Sequence, residues 1–149
     1  MKVIEKNIIK EWNNKFPKSR LTLSSFEYER FDAHNTHCIA EVKYRNTWYD
    51  KLMIEFDKYS YNSWYAHITD RKFFYVVAHG DRIIVFNITD LNNNKYNYGW
   101  EYRVMPKRTE FDGGDKIVKF VGYLDFDALK SSDSVYEFKA SKNLSEFNI

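Results

Sequence analysis

Seven consecutive residues, Phe73-Phe74-Tyr75-Val76-Val77-Ala78-His79, run without a polar break until the histidine. A strand with one wet face alternates apolar and polar side chains. An unbroken run of aromatic and β-branched residues marks a strand covered on both faces. Gly80-Asp81 follows, with glycine first as a type II′ turn requires, and Arg82–Ile88 then returns as a second apolar strand. A sheet covered on both sides must be packed between other layers, so the expected class is α/β (or α+β), a mixed sheet flanked by helices.

The upstream segments supply such layers. Ile4, Ile8, Trp12 and Phe16 recur every four residues and predict a helix over 2–16, stopped by Pro17. At ~100° per residue Glu5 falls within the apolar face, where a carboxylate is unusual, whereas Glu11 falls at its edge. Residues 20–33 read as extended, with a candidate break at Ser24-Ser25. Residues 34–37 form a polar turn, and Cys38–Arg45 is a strand that makes an antiparallel hairpin with the segment before it. A loop is expected over 46–51 and a second helix over 52–68, with Leu52, Ile54, Tyr61, Trp64, Tyr65 and Ile68 on or near one side. Further along, Leu91–Asn97 reads as an Asn-rich loop, and Tyr98–Met105 and Lys116–Tyr123 as strands separated by Pro106 and Gly113-Gly114. Asp127–Lys130 reads as a helical turn, and the last ten residues as frayed.

At 149 residues the chain is the size of one domain, 1–149, with a core over about 2–88 and a β-rich C-terminal extension over about 89–149. The single cysteine, Cys38, excludes an internal disulfide, and one Cys with four His fits no zinc motif. The charged N-terminus does not resemble a signal peptide, and no run nears the ~18 apolar residues of a membrane helix; no membrane partner and a cytoplasmic location are expected. The formal net charge of +2 gives no global field demanding a polyanion. The marked asymmetry is in the first 20 residues, where Lys2, Lys6, Lys10, Lys15, Lys18 and Arg20 face only Glu5 and Glu11. No P-loop, nucleophile elbow or dinucleotide fingerprint is present.

The strand Cys38–Arg45 carries the strongest chemical signal. Residues two apart share a face, so Ile39, Glu41 and Lys43 point one way and Cys38, Ala40, Val42 and Tyr44 the other. A carboxylate beside an amine in a buried strand is costly unless the two pair or work. Asp32, at the end of the neighbouring strand, can add a second carboxylate. Two carboxylates with open positions suit a hard cation such as Mg²⁺, and a nearby Lys can orient water and stabilise developing negative charge. The alternative is a Glu41–Lys43 pair on a solvated sheet face, which predicts an exposed, edge-like surface there.

Asp32…Glu41-Val42-Lys43 resembles the Asp…(Asp/Glu)-x-Lys signature of the PD-(D/E)XK nuclease superfamily, with its restriction-endonuclease-like fold. The surroundings fit: an opening helix with an acidic residue, here Glu5, then strands bearing the Asp and the Glu-x-Lys, a crossover helix and a buried strand. Glu41–Arg45, Ile54-Glu55, Lys58-Tyr59 and Pro106-Lys107-Arg108-Thr109 are similar to phage-type members of that superfamily. Asp/Glu-x-Lys occurs three times, also as Asp70-Arg71-Lys72 and Glu137-Phe138-Lys139. Only Glu41 has strand context before it and room for a crossover after it. Phe31 stands where the family name has Pro. The fold needs more than one strand before the Glu-x-Lys strand, so it also needs the break at Ser24-Ser25.

The resemblance implies a Mg²⁺-dependent (or Mn²⁺-dependent) nuclease, probably too small to carry a second activity, that hydrolyses DNA phosphodiester bonds. Asp32 and Glu41 hold the metal, Lys43 lies near the water and Glu5 is an auxiliary acid. RNA remains open as substrate, as does a homodimer, and a phage origin would place the protein in the host cytoplasm. The other implied reading is a catalytically inactive nuclease-fold protein that binds a host protein or nucleic acid. Arg45, Lys51 and Lys58 follow the motif and are candidate phosphate contacts, against a plainer role as solvated charges. His34 and His37 are candidate acid/base groups, against a plainer role as turn residues.

Overall fold

The computed structural model describes residues 1–25, 30–106 and 116–147. In chain order the elements are α1 (Val3–Lys15), a 3-10 turn (Pro17–Ser19), β1 (Thr22–Leu23), β2 (Ala33–His34), β3 (Cys38–Tyr44), β4 (Lys51–Glu55) and α2 (Phe56–Ile68). They continue with β5 (Lys72–His79), β6 (Arg82–Asn87), α3 (Ile88–Asn93), β7 (Glu101–Pro106), β8 (Lys116–Asp125), α4 (Phe126–Leu129), β9 (Val135–Lys139) and a 3-10 turn (Leu144–Phe147). Six strands form the main sheet in the order β1-β2-β3-β5-β6-β9, and three form a smaller sheet, β4-β8-β7. β3 and β5 run parallel, while the other described pairs are antiparallel. The molecule is therefore a mixed sheet flanked by helices.

The parallel β3–β5 pair requires a crossover, which β4 and α2 supply. β5 lies between β3 and β6, and both of its faces are covered, as its apolar run requires. On one face Ile4, Ile8, Ile9 and Trp12 of α1 pack over Ala40, Val42, Val76 and Val85. On the other, Ile39, Phe73, Tyr75 and Phe86 meet Ala66 of α2, Leu52 and Ile54 of β4, and Leu124 of β8. Each buried large side chain contributes roughly 1.5–3 kcal/mol by removal from water. Gly80 takes φ +61°, and His79 pairs with Arg82 across the two-residue turn.

Three expectations need correction. Residues 51–55 form a strand, and the second helix starts only at Phe56. Leu52 and Ile54 lie two apart with Met53 between them; both are buried and pair with Leu124 and Gly122 of β8. Their period is that of a strand, and β8, distant in sequence, supplies the partner. On α2 itself Asn62 and Ala66 are the buried residues, whereas Trp64 and Ile68 are 55% and 54% exposed. Residues 88–93, partly assigned to an Asn-rich loop, form α3, with Ile88 and Leu91 buried and the Asn87 carboxamide accepting from Asp90 N at 3.0 Å.

The C-terminal end is also anchored rather than frayed up to residue 147. Leu144 is fully buried with the α1 cluster, and Ser141 donates to Glu11 through both its amide (3.2 Å) and its hydroxyl (2.6 Å). β9 lies beside β6 and β8 beside β4, so the C-terminal third enters both sheets. Residues 26–29, Lys107-Arg108-Thr109, Gly113-Gly114 and 148–149 lie outside the described residues.

Candidate active site

The stretch before β3 divides as the strand count requires, with β1 ending at Leu23 and β2 beginning at Ala33. Asp32 extends the β2–β3 ladder, donating from its amide to Ala40 O at 2.9 Å. Its carboxylate Oδ2 then accepts from Val42 N at 2.7 Å. That bond places the Asp32 carboxylate against the strand at the residue between Glu41 and Lys43. The buried polar Asn62 of α2 donates from Nδ2 to Arg30 O at 3.3 Å and so fixes the chain leading into Asp32.

On β3, Ile39 belongs to the core cluster under α2, while Cys38, Ala40 and Val42 belong to the cluster under α1. Glu41 and Lys43 share the face of Ile39. Glu41 is 1% exposed and Lys43 is half-buried, so the solvated-face alternative does not describe this strand. Lys58, in the first turn of α2, reaches back and sets Nζ 2.6 Å from Glu41 Oε1. A cation in the first turn opposes the helix dipole, and here the buried carboxylate offsets that cost.

The electrostatics follow from this crowding. Burial raises the Asp32 carboxyl above its usual range despite the Val42 N–H, and the Glu5 charge adds to the rise. Burial, and next the charge of Asp32, push Glu41 up to about 7 against the pull of Lys58. Burial and the neighbouring Lys58 hold Lys43 below the ordinary lysine value, with Glu41 and Glu5 opposing. For Lys58 burial acts downward, but the charge and hydrogen bond of Glu41, with Asp32, hold it above that value. Two carboxylates and two ammonium groups thus act on one another in a largely dehydrated space.

The other candidates divide. Glu5 is half-buried in the first turn of α1, accepts from Lys2 N at 3.3 Å, and acts electrostatically on both Asp32 and Lys43. Arg45 donates to Met53 O (3.3 Å) and the Tyr75 hydroxyl (3.4 Å), which ties β3 to β4 and β5. Lys51 is exposed at the start of β4, paired with Asp125. Lys58, read from sequence as a phosphate contact, is Glu41's ion-pair partner. At the margin, Glu55 pairs with Lys119 at 2.7 Å. Burial raises the Glu55 carboxyl, but the Lys119 hydrogen bond and charge, with Lys58 and Lys43, bring it below its usual range. His34 and His37 lie at the opposite end of β3, ~17 Å of strand from Lys43, too far to serve as its acid or base.

Among the described residues no group of three or more His, Cys, Asp or Glu side chains is placed to share a metal ion. Asp32 and Glu41 remain as a two-carboxylate donor set. Asp32 Oδ2 is engaged with Val42 and Glu41 Oε1 with Lys58, which leaves one oxygen on each. No helix among the described residues is long and apolar enough to cross a membrane. No family model matches the chain, and no curated protein or solved structure matches it at a significant level.

Proposed function

We propose that this protein is a Mg²⁺-dependent (or Mn²⁺-dependent) nuclease of restriction-endonuclease-like architecture that hydrolyses DNA phosphodiester bonds. The observation that carries the reading is the Asp32 carboxylate bound to Val42 N–H, between Glu41 and Lys43. The order α1-β1-β2-β3-α2-β5, with β3 parallel to β5, supports it by supplying the strand count and crossover that the resemblance asks for.

Asp32 and Glu41 are the residues that would hold the metal. Their donor chemistry fits: both are anionic oxygens driven above their usual pKa by burial, and a hard cation accepts one or two carboxylates and completes its shell with water. When bound, the ion supplies Lewis-acid polarisation of a phosphate oxygen and a more acidic water. The rest is done by the chain. Val42 N–H orients Asp32. Lys43 Nζ, held below the ordinary lysine value, is suited to orient a water and take its proton. Lys58 balances the charge of Glu41 and can face the negative charge gathering on phosphate. Without positive partners the two carboxylates would repel the substrate.

A second reading is supported by the Glu41–Lys58 contact, which already satisfies Glu41 without an ion. On that reading the fold is retained as a scaffold that binds a host protein or nucleic acid without cutting. Incubation of purified protein with DNA and Mg²⁺ or Mn²⁺ separates the two. The nuclease reading predicts metal-dependent cleavage, abolished in Glu41→Ala and in Lys43→Ala. Cleavage that survives both substitutions, or none in the wild type, overturns it.

A further inference from the structure

We propose that a basic pocket at the turn end of β2 and β3 binds a backbone phosphate of the DNA, several nucleotides from the bond presented to Glu41 and Lys43. This rests on the nuclease reading for the identity of the polymer. The pocket has a volume of about 670 Å³ and lies between the Pro17–Ser19 turn, the β2–β3 turn and the loop after α2. Lys18, Arg20 and Arg71 supply three permanent positive charges to its wall, His34 and His37 add imidazoles, and no Asp or Glu lines it. In a chain of net charge +2 this is a local concentration of cations. Lys18 and Arg20 come from the basic N-terminal segment, whereas Arg71 arrives from beyond α2, so the fold assembles the cluster.

The pocket is also built. Ser19 O accepts from Trp12 Nε1 (2.9 Å) and from Asn35 Nδ2 (3.2 Å), which fixes the turn that carries Lys18 and Arg20. Asn35 Oδ1 accepts from the amides of His37 and Cys38, both at 2.8 Å, and so holds the opposite wall. Arg71 donates from Nε to Thr69 Oγ1 (3.0 Å) and from Nη1 to Asn35 O (3.3 Å), and its guanidinium lies 5.3 Å from the Tyr65 ring centroid. A guanidinium has five donors, so Arg71 is oriented with donors to spare.

An open pocket of this kind desolvates a lone small anion poorly. Cations set along a polyanion instead gain from release of its counterions. The spacing also suits a polymer. β3 starts at the pocket and carries Glu41 and Lys43 toward its far end; Cys38 to Lys43 spans ~17 Å at ~3.3 Å per residue. At ~3.4 Å per nucleotide along one strand, this corresponds to about five nucleotides. Contacts of this type set register and position and leave sequence unread.

The test is fluorescence anisotropy of a labelled DNA duplex over a NaCl series, without divalent ions, with wild type and the Lys18→Gln/Arg20→Gln double variant. Both side chains are exposed, so the variant is expected to fold, checked by an unchanged melting curve. The expected result is an affinity at least about tenfold lower and a salt slope shallower by about 2, one for each lost phosphate contact. Equal affinity and slope for the two proteins overturn the proposal, as does absence of duplex binding by the wild type. A second arm titrates inorganic phosphate and follows the Arg and His side-chain NMR signals. Saturation by phosphate that leaves duplex binding untouched assigns the pocket to a free anion and also overturns it. Cleavage is scored separately. Loss of affinity and slope in the double variant of a protein that never cleaves supports the pocket while the nuclease reading falls.

Discussion

Replacing Glu41 by glutamine is predicted to stabilise this protein at alkaline pH. Glu41 is 1% exposed, and its carboxyl stands at about 7 in the folded protein against an ordinary value of 4.5, chiefly through burial and the charge of Asp32. Between those values the folded state binds the proton more tightly than the unfolded chain. Stability from this group is therefore fully present below pH ~4.5 and is lost as the pH rises through ~7. That interval corresponds to about 3 kcal/mol at ~1.4 kcal/mol per tenfold change in proton affinity. Glutamine keeps the shape and removes the charge. The stability difference between Glu41→Gln and wild type should be near zero at pH 4.5 and grow to ~3 kcal/mol at pH 8.5, or a melting-point gain of about 6–12 °C for a chain of this size. Urea denaturation of both proteins across that range measures it. A difference that does not change with pH, or a less stable variant at pH 8.5, refutes the reasoning. A residue that costs stability in its charged form belongs where chemistry, not folding, needs the charge.

Lys58→Met removes the counter-charge and leaves Glu41 buried alone. Breaking a buried pair costs ~3–5 kcal/mol, and the 36% exposure of the Lys58 side chain moves the expectation to about 2–3 kcal/mol at pH 8, nearly abolished at pH 5 where Glu41 is protonated; urea melts at the two pH values check this. Gly122→Ala would bring a Cβ within 2.8 Å of the Trp100 ring and 2.9 Å of Tyr98 Cβ, so a loss of about 1–3 kcal/mol is expected by the same assay. Leu144→Ala should cost about 2–5 kcal/mol in thermal or urea unfolding, because Leu144 is fully buried in the α1 cluster; a frayed terminus would give no change.

What could be read from the chain, and what could not, follows the range of each interaction. The period of Ile4, Ile8 and Trp12 locates α1, and strict alternation assigns Glu41 and Lys43 to one face of β3, because both are local geometry. The Gly80-Asp81 turn and the strands beside it are equally local. β4 was hidden because Leu52 and Ile54 fit the margin of a helical stripe as well as a strand, and their partner β8 lies some seventy residues away. α3 was hidden by its asparagines, although the Asn87 cap was a visible signal. The site divides in the same way. Asp32, Glu41 and Lys43 could be proposed from order and spacing. The tie of Lys58 to Glu41 depends on where the crossover lays α2, and the link of Asn62 to Arg30 O depends on it too. A cation in the first turn of a helix was the one local hint that Lys58 has a partner elsewhere.

The central claim is that Asp32 and Glu41 form one divalent-ion site beside Lys43. Calorimetric titration of Mn²⁺ into the wild type, Asp32→Asn and Glu41→Gln at pH 8 tests it without relying on turnover. The account predicts saturable binding of an ion by the wild type that either substitution abolishes. No saturable binding by the wild type, or binding unchanged in both variants, would contradict it.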